Sequence, residues 1–455
     1  MTRSFLALLA LGALLAALML VTLALNLPHV VEAARVARWN VSVGLMMAAA
    51  GIYFLSVRLV LRHSFPKQAV WAVLGLALAL RAVLVCAPPY LSSDVYRYVW
   101  DGRVQEAGIN PYRYIPADPA LSFLRDQRIY PHINRRNYAR TIYPPMAELF
   151  FAAVARISDS VTAMKLALVG AEALGVACML LLLRLAALPP EQVLIYAWNP
   201  LALWAFAGSG HVDALAIGLL GLALLLRARH RDGWAGAVLG CATLVKFLPL
   251  VVAPAFVRGG RFWRPAVAGG AVILALYALY ISAGRHVLGF LPSYASQEGL
   301  DNGSGFWLLH GLSSMVPLPG WTVLLYLGVV GAALAALALF ILRRRNPAGA
   351  SDAAILCRDT SVLAACTMVA ISPHYPWYFA WLALPAIVAP SRAVLWLSAV
   401  PILLYIAPWP HGEFLWRSLI YLPAAALFAA DLARRRIGAF SLRAQGEPQW
   451  PLRQP

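Results

Sequence analysis

The chain has 455 residues, 62% of them hydrophobic and only 12% charged, and its 37 Lys and Arg against 19 Asp and Glu leave a formal net charge of +18. Soluble domains carry roughly twice that charged share. Such a composition excludes a soluble globular enzyme, a disordered chain and a nucleic-acid binder with a charged, water-exposed surface; it describes an all-α polytopic membrane protein.

Read in chain order, the first apolar run (5–27) is longer than the core of a signal peptide, and a second run follows closely. It reads as a retained helix with its MTR end in the cytoplasm. Further candidate spans lie at 41–62, 68–87, 162–185, 191–208, 212–228, 265–283, 321–342, 353–371, 376–390, 393–408 and 415–432, about twelve in all. Short basic loops stay cytoplasmic. The breaks at Arg62, His63 and Lys67, at Arg227, Arg229, His230 and Arg231, at Arg258, Arg261 and Arg264, at Arg343 to Arg345 and at Arg434 to Arg436 fall on one side only if two apolar segments do not cross. The first is 143–157, which carries Glu148 and suits an interfacial helix. The second is 234–257, which begins and ends beside basic clusters and suits a re-entrant or broken hairpin. Arg35 and Arg38 fall outside in this scheme and count against it.

Both termini are then cytoplasmic, in a single membrane domain over 1–436 with a short tail over 437–455. A long external loop covers 88–161 and a second covers 284–320. Short external turns hold GSGHVD (208–213), SPHYPWY (372–378) and PWPHGEF (408–414). The five cysteines are scattered without CxxC or Cys/His spacing, so neither a disulfide framework nor a zinc site is expected.

The most informative stretch is PPYLSSDVYRYVWDGRVQEAGINPYRY (88–114). Asp94 and Asp101 are two helical turns apart and share a helix face, with Arg97 and Tyr98 between them. Acids at a membrane surface beside arginine and tyrosine suit deprotonation of a hydroxyl near an anionic lipid headgroup. An interfacial amphipathic helix with solvated Asp residues and an aromatic belt fits the same spacing. Residues 88–142 carry eight arginines against five acids, an excess that serves a phosphate better than it serves topology.

Four pieces together resemble the GT-C superfamily of membrane glycosyltransferases, and among them the bacterial polyprenyl-phosphate-mannose-dependent mannosyltransferases. They are SSDVYRYVWDGRVQEAGINPY, TIYPPMAELFF, the run from WNPLALWAFAGSGHVD to ATLVKFLPLVVAP, and SPHYPWYFAWL. The resemblance implies a GT-C-like bundle whose external juxtamembrane helices close over a cavity facing the outer leaflet. It implies a lipid-phosphate sugar donor, a glycan or lipid acceptor, inversion at the anomeric carbon and a place in the bacterial cytoplasmic membrane. Asp94 matches the family's essential acid best and Asp101 second. The chain departs from the family in two spans before the usual first helix and in lacking an adjacent DxD or ExD pair. No cofactor is expected, and divalent-metal dependence stays open.

Asp94 is therefore the candidate base. The candidate substrate-binding residues are Asp101, Arg97, Tyr98, Arg103, Tyr143, Glu148, His211, Asp213, His374, Tyr375 and Trp377. Asp213 could equally cap a helix, and belt anchoring would explain the aromatic residues around His374. Glu298, Asp301 and His310 could shape an acceptor site, with Gly303 and Gly305 making their loop a mobile lid. Lys246 is placed toward the cytoplasmic half, too deep for the site, and read as structural by snorkelling or pairing. Trp198, Asn199 and Pro200 read as a helix kink. The leading function is a hexosyltransferase, mannose by resemblance. The rivals are a twelve-helix secondary transporter, for which internal repeats and midplane charges would be expected, and a lipid flippase.

Overall fold

The computed structural model describes residues 2–26, 35–259, 263–346, 351–406 and 413–444. Among these there is no strand. The helices used below are α1 (Arg3–Leu25), α2 (Arg35–Arg62), α3 (Gln68–Cys86), α4 (Asp94–Glu106), α5 (Pro145–Ala155), α6 (Val161–Leu185), α7 (Asp213–Ala228), α8 (Asp232–Thr243), α9 (Trp263–Ala278), α10 (Leu291–Gln297), α11 (Trp321–Arg343), α12 (Asp352–Ile371) and α13 (Glu413–Ala444).

Seven described helices are long and apolar enough to cross a membrane, and up to nine if each of two bent pairs is one span. This is an integral membrane architecture. Long helices alone do not reach twelve spans, because the described parts of 376–390 and 393–408 are shorter helical pieces, Pro376–Leu382 running into Ala383–Ala386 and Arg392–Ala399 running into Val400–Tyr405. Prolines at the start of Pro376–Leu382 and of Val400–Tyr405 keep them from joining into one long helix. The last helix runs on to Ala444, past the expected end of the membrane domain at 436. The turn residues 408–412 and the tail 445–455 lie outside the described residues.

Local chemistry sets the helix starts near the loop end of the bundle. The Ser160 hydroxyl accepts from the Ala163 N–H and caps α6. Pro88 and Pro89 follow the end of α3, and α4 opens at Asp94, an acid in a first turn, where the helix dipole favours negative charge. Helix α5 is only 11 residues, about 17 Å, too short to span, as the interfacial reading of 143–157 requires. It lies against α4 so closely that a Cβ on Gly102 would come within 2.5 Å of the Phe151 carbonyl oxygen.

The segment expected to kink at Trp198, Asn199 and Pro200 does so. The Asn199 side chain caps the next turn and also donates to Ser398, while the Trp198 indole donates to the Val73 carbonyl. Its second arm, Pro200–Gly208, meets α7 at a 118° bend, so GSGHVD forms an inward corner. Helix α7 then descends alongside α6, and a Cβ on Gly218 would lie 2.2 Å from the Ala171 carbonyl oxygen. Small residues allow this approach where the surrounding lipid supplies no hydrophobic drive.

The segment 234–257 is a hairpin with both feet at one end. Arg227 Nε donates to the Phe256 carbonyl at 2.8 Å and its Nη2 to the Arg258 carbonyl at 2.5 Å, tying the returning arm to the end of α7. Arg258 in turn meets Asp359 at 3.2 Å and the Arg344 carbonyl at 2.7 Å. Arginines from three of the expected basic breaks thus converge at the end of the bundle opposite α4. At the hairpin tip the Leu244 carbonyl accepts from the backbone N–H groups of Met146 (3.0 Å) and Ala147 (3.2 Å), capping α5. Lys246 is therefore not deep in the arginine-rich half, as its sequence position suggested. The tip carries it to the level of α4 and α5.

Within the apolar body, Arg81 of α3 grips Glu172 of α6 through two contacts, 2.6 and 2.9 Å, and donates to the Ala197 carbonyl at 2.9 Å. Removing one partner of a buried pair leaves an uncompensated charge, at a cost of about 3–5 kcal/mol. Arg81→Met should therefore lower the thermal midpoint in detergent markedly, and Arg81→Met with Glu172→Leu should recover most of the loss. Thermal unfolding of the three purified proteins checks this.

Candidate active site

Between α4, the loop 134–144, the hairpin tip, α10 and the turn after α12 lies a cavity of about 790 Å³. One part of its wall is apolar: Leu91, Ile142, Val245, Phe247, Leu248, Val251, Leu291 and Ile371. The other part is polar and aromatic, with Asp94, Asn134, Arg135, Lys246, Tyr294, Tyr375, Trp377 and Tyr378. A pocket of this make-up suits a ligand with a long apolar portion and a polar head.

Asp94 is the acid of this wall. Its Oδ1 accepts from Asn134 Nδ2 at 2.6 Å, and its Oδ2 lies 3.6 Å from His211 Nδ1. Burial pushes its carboxyl above the ordinary carboxylate range, opposed by the Asn134 hydrogen bond and by the positive charges of Lys246 and Arg135. A carboxylate in that condition is a better proton acceptor than one in water. Those neighbours favour its charged form against the burial.

Two cations face the cavity. Lys246 Nζ contacts both oxygens of Asp213, at 2.8 and 2.9 Å, and sits 3.7 Å from the centre of the Tyr378 ring. Arg135 is held with φ +54, a left-handed backbone conformation that side chains other than glycine seldom adopt. Such strain persists only where the surroundings enforce it, and here it turns a guanidinium into the cavity. Arg135 lies 4.0 Å from Glu298, just past α10, and Glu298 also reaches His374 Nδ1 at 3.3 Å. The Tyr294 and Tyr378 hydroxyls meet at 3.3 Å, and Gln297 donates to the Tyr138 hydroxyl at 3.3 Å. The 284–320 loop thus meets the cavity rim through these polar contacts, with Phe290 packing edge-on against Tyr138 at 5.8 Å.

The sequence candidates separate into two groups. Asp94, Tyr98, Tyr143, Tyr375 and Trp377 line the cavity; His211 and Asp213 stand directly behind Asp94 and Lys246. His374 touches the cover through Glu298. Arg97, Asp101, Arg103 and Glu148 face elsewhere. Arg97 Nε contacts both Asp101 oxygens at 2.8 and 2.9 Å and Nη1 donates to the Ala139 carbonyl. Arg97 and Asp101 are both buried, so they satisfy one another beneath α4. Arg103 holds Asp126 at 2.9 Å and Asp159 at 3.0 Å, pinning the middle of the long loop and its far end to α4. Glu148 shares Thr141 at 2.5 Å and Gln105 at 2.9 Å; burial, reinforced by the charge of Asp101, raises its carboxyl well above the ordinary range. Burial pushes both carboxyls upward, and the Arg97 guanidinium opposes the shift at Asp101.

Sequence reasoning missed Asn134, Arg135 and Tyr378, and it removed Lys246 from the site. Lys246 did carry a signal, since an ionisable residue in an apolar segment is a functional candidate. Arg135 sits in a loop rich in arginine, where nothing local distinguishes it from its neighbours. Among the described residues no group of three or more His, Cys, Asp or Glu could hold a metal ion.

A family model described as "Alpha-(1->6)-mannopyranosyltransferase, N-terminal domain" and called the MptA_B family matches residues 4–259. The chain belongs to this family. The MptA_B match agrees with the resemblance to GT-C mannosyltransferases and makes the chain a glycosyltransferase of the mannosyl class rather than a transporter or flippase. No curated protein and no solved structure gives a match. Asp94, Asn134, Arg135, His211, Asp213 and Lys246 all fall inside the matched MptA_B region.

Three carboxyl variants test this division. Asp94→Asn should keep its thermal midpoint and lose mannosyl transfer by about 10²–10⁴-fold. Asp101→Asn should instead lower the midpoint, because it strands the buried Arg97 charge. Glu148→Gln, which keeps the shape of a carboxyl that burial pushes toward its neutral form, should leave both within about threefold and a few degrees of wild type. Rates and melting curves measured on the same preparations separate the three.

Proposed function

We propose that this chain transfers mannose from a polyprenyl-phosphate donor to a glycan or lipid acceptor on the extracytoplasmic face of a bacterial cytoplasmic membrane, with inversion. The observation that carries the reading is one cavity holding a poised carboxylate and two cations beside a long apolar wall. The prenyl chain follows the apolar side, and the phosphate meets Arg135 and Lys246. Asp94 then takes the proton of an acceptor hydroxyl as that oxygen attacks the anomeric carbon from the face opposite the phosphate. The new C–O bond forms as the anomeric carbon–phosphate oxygen bond breaks, and the electron pair leaves on the phosphate. One displacement gives inversion. A lipid phosphate is a competent leaving group once cations take up its charge, so a base and a phosphate clamp are the main requirements.

Tyr375, backed by Trp377 in a stack at 4.6 Å, offers a flat face to the C–H surface of a sugar. The family's description favours a primary hydroxyl, position 6 of a mannose, as acceptor. The fold is read as GT-C, with α4, α5 and the 284–320 loop as its external cover. Concentration of arginine at the opposite end supports a cytoplasmic location for that end.

Purified protein should transfer label from polyprenyl-phosphate-[³H]mannose to membrane lipid extract and none from a nucleotide-linked mannose. The reverse preference would overturn the donor assignment. Sidedness has its own test. In a background without native cysteines, Ser122→Cys and Ser296→Cys should react with impermeant maleimide on intact cells, and Asn346→Cys should react only after lysis. Labelling of the Asn346 position from outside would invert the arrangement.

A further inference from the structure

His211 occupies the corner of GSGHVD, between the second arm of the kinked segment and α7. It is 1% exposed, its ring stacks on Trp377 at 3.9 Å and 21°, and its backbone N–H donates to the Ala205 carbonyl at 3.1 Å. The residue before it, Gly210, has φ +73 and packs against Val95 and Lys165, where an added Cβ would come within 3.0 Å of each. The corner is rigid. Nδ1 points at Asp94 Oδ2 from 3.6 Å, and Nε2 is buried without a partner.

Those two facts select a tautomer. A proton on Nε2 would be a buried donor with no acceptor, and it would leave the Nδ1 lone pair facing a carboxylate. A proton on Nδ1 removes both penalties, since an unfilled acceptor is tolerated better than an orphaned donor. The ring therefore presents N–H to Asp94. At 3.6 Å the contact is longer than a hydrogen bond, and contacts of this kind tighten in the reacting complex.

We infer that His211 is a positioning residue for Asp94, its Nδ1–H aiming the carboxylate oxygen that Asn134 does not hold. Resting on the reading of Asp94 as the base, this assigns the two oxygens separate tethers, one from the long loop and one from the corner before α7. The other groups facing Asp94 are Tyr98, Arg135, Tyr143, Asp213, Lys246 and Tyr405; those facing His211 are Asp94, Lys246 and Trp377. A donor aimed at a carboxylate favours its charged form. Its removal must raise the pKa of Asp94, and the acid limb of the rate profile moves to higher pH.

The full chain in nanodiscs is assayed for kcat and KM from pH 4 to 9 as wild type, His211→Ala, His211→Phe and His211→Asn. Phe keeps the stack on Trp377 but has no donor, and Asn places an N–H close to where Nδ1–H was. In Ala and Phe, kcat should fall about tenfold or more with donor KM within threefold, and the acid limb should move up by about one pH unit. Asn should return the limb toward wild type. An unmoved limb in Phe, or Asn indistinguishable from Phe, overturns the inference. Asp94→Asn run alongside keeps the two claims apart: normal turnover there removes the base itself, whereas a dead Asp94→Asn with an unmoved His211→Phe limb removes only the tether.

Discussion

Lys246 and Asp213, 2.8 Å apart, meet at the tip of a hairpin that enters the bundle and turns back. Neither charge could be buried in an apolar body alone, because desolvation of an unpaired ion is prohibitive. Their contact fixes how far the hairpin reaches, and the tip then caps α5 through the Leu244 carbonyl. With α5 set, α4 is set through the close approach at Gly102, and Asp94 is aimed at the cavity from the first residue of α4. The cations that this arrangement brings to Asp94 favour its charged form against the burial. One ion pair thus positions a hairpin, two juxtamembrane helices and a base.

Most of the membrane helices were legible because twenty apolar residues in a row have no other stable place, and α1, α3, α6, α11 and α12 lie close to where the composition put them. The interfacial helix at 145–155 and the returning hairpin were legible from length and from where the arginines fell. The stretches expected as spans at 376–390 and 393–408 form shorter helical pieces for a physical reason. Hydropathy reports that a segment is buried, and prolines decide whether it is a continuous helix; these stretches pack inside protein and stay broken.

At the site, the two acids of α4 looked equivalent by spacing. Their difference lies in partners remote in sequence: Asp94 meets Asn134 and faces His211, and Asp101 meets its neighbour Arg97 over Glu148. An i to i+4 pair was visible in the sequence, yet nothing there said that it would close on itself and leave the phosphate to another arginine. The role of Arg135 depends on one left-handed residue, a conformation that composition does not encode. The depth of Lys246 was misread because a helix-like count along 234–257 assumes the chain keeps one direction, and the chain reverses there.

The family match ends at residue 259, and the cavity does not. Every charged group on the cavity floor comes from the matched part, while Tyr294, Gln297, Tyr375, Trp377 and Tyr378 come from the remainder. The two stretches are nonetheless knit together at the site itself, by the His211–Trp377 stack at 3.9 Å and the Lys246 ammonium 3.7 Å from the Tyr378 ring, as well as by the contacts of α10. A change in one stretch is therefore felt in the other: replacing Trp377 would unseat the His211 ring, and replacing Tyr378 would strip the aromatic face from Lys246, so the two parts of the pocket are not independently replaceable.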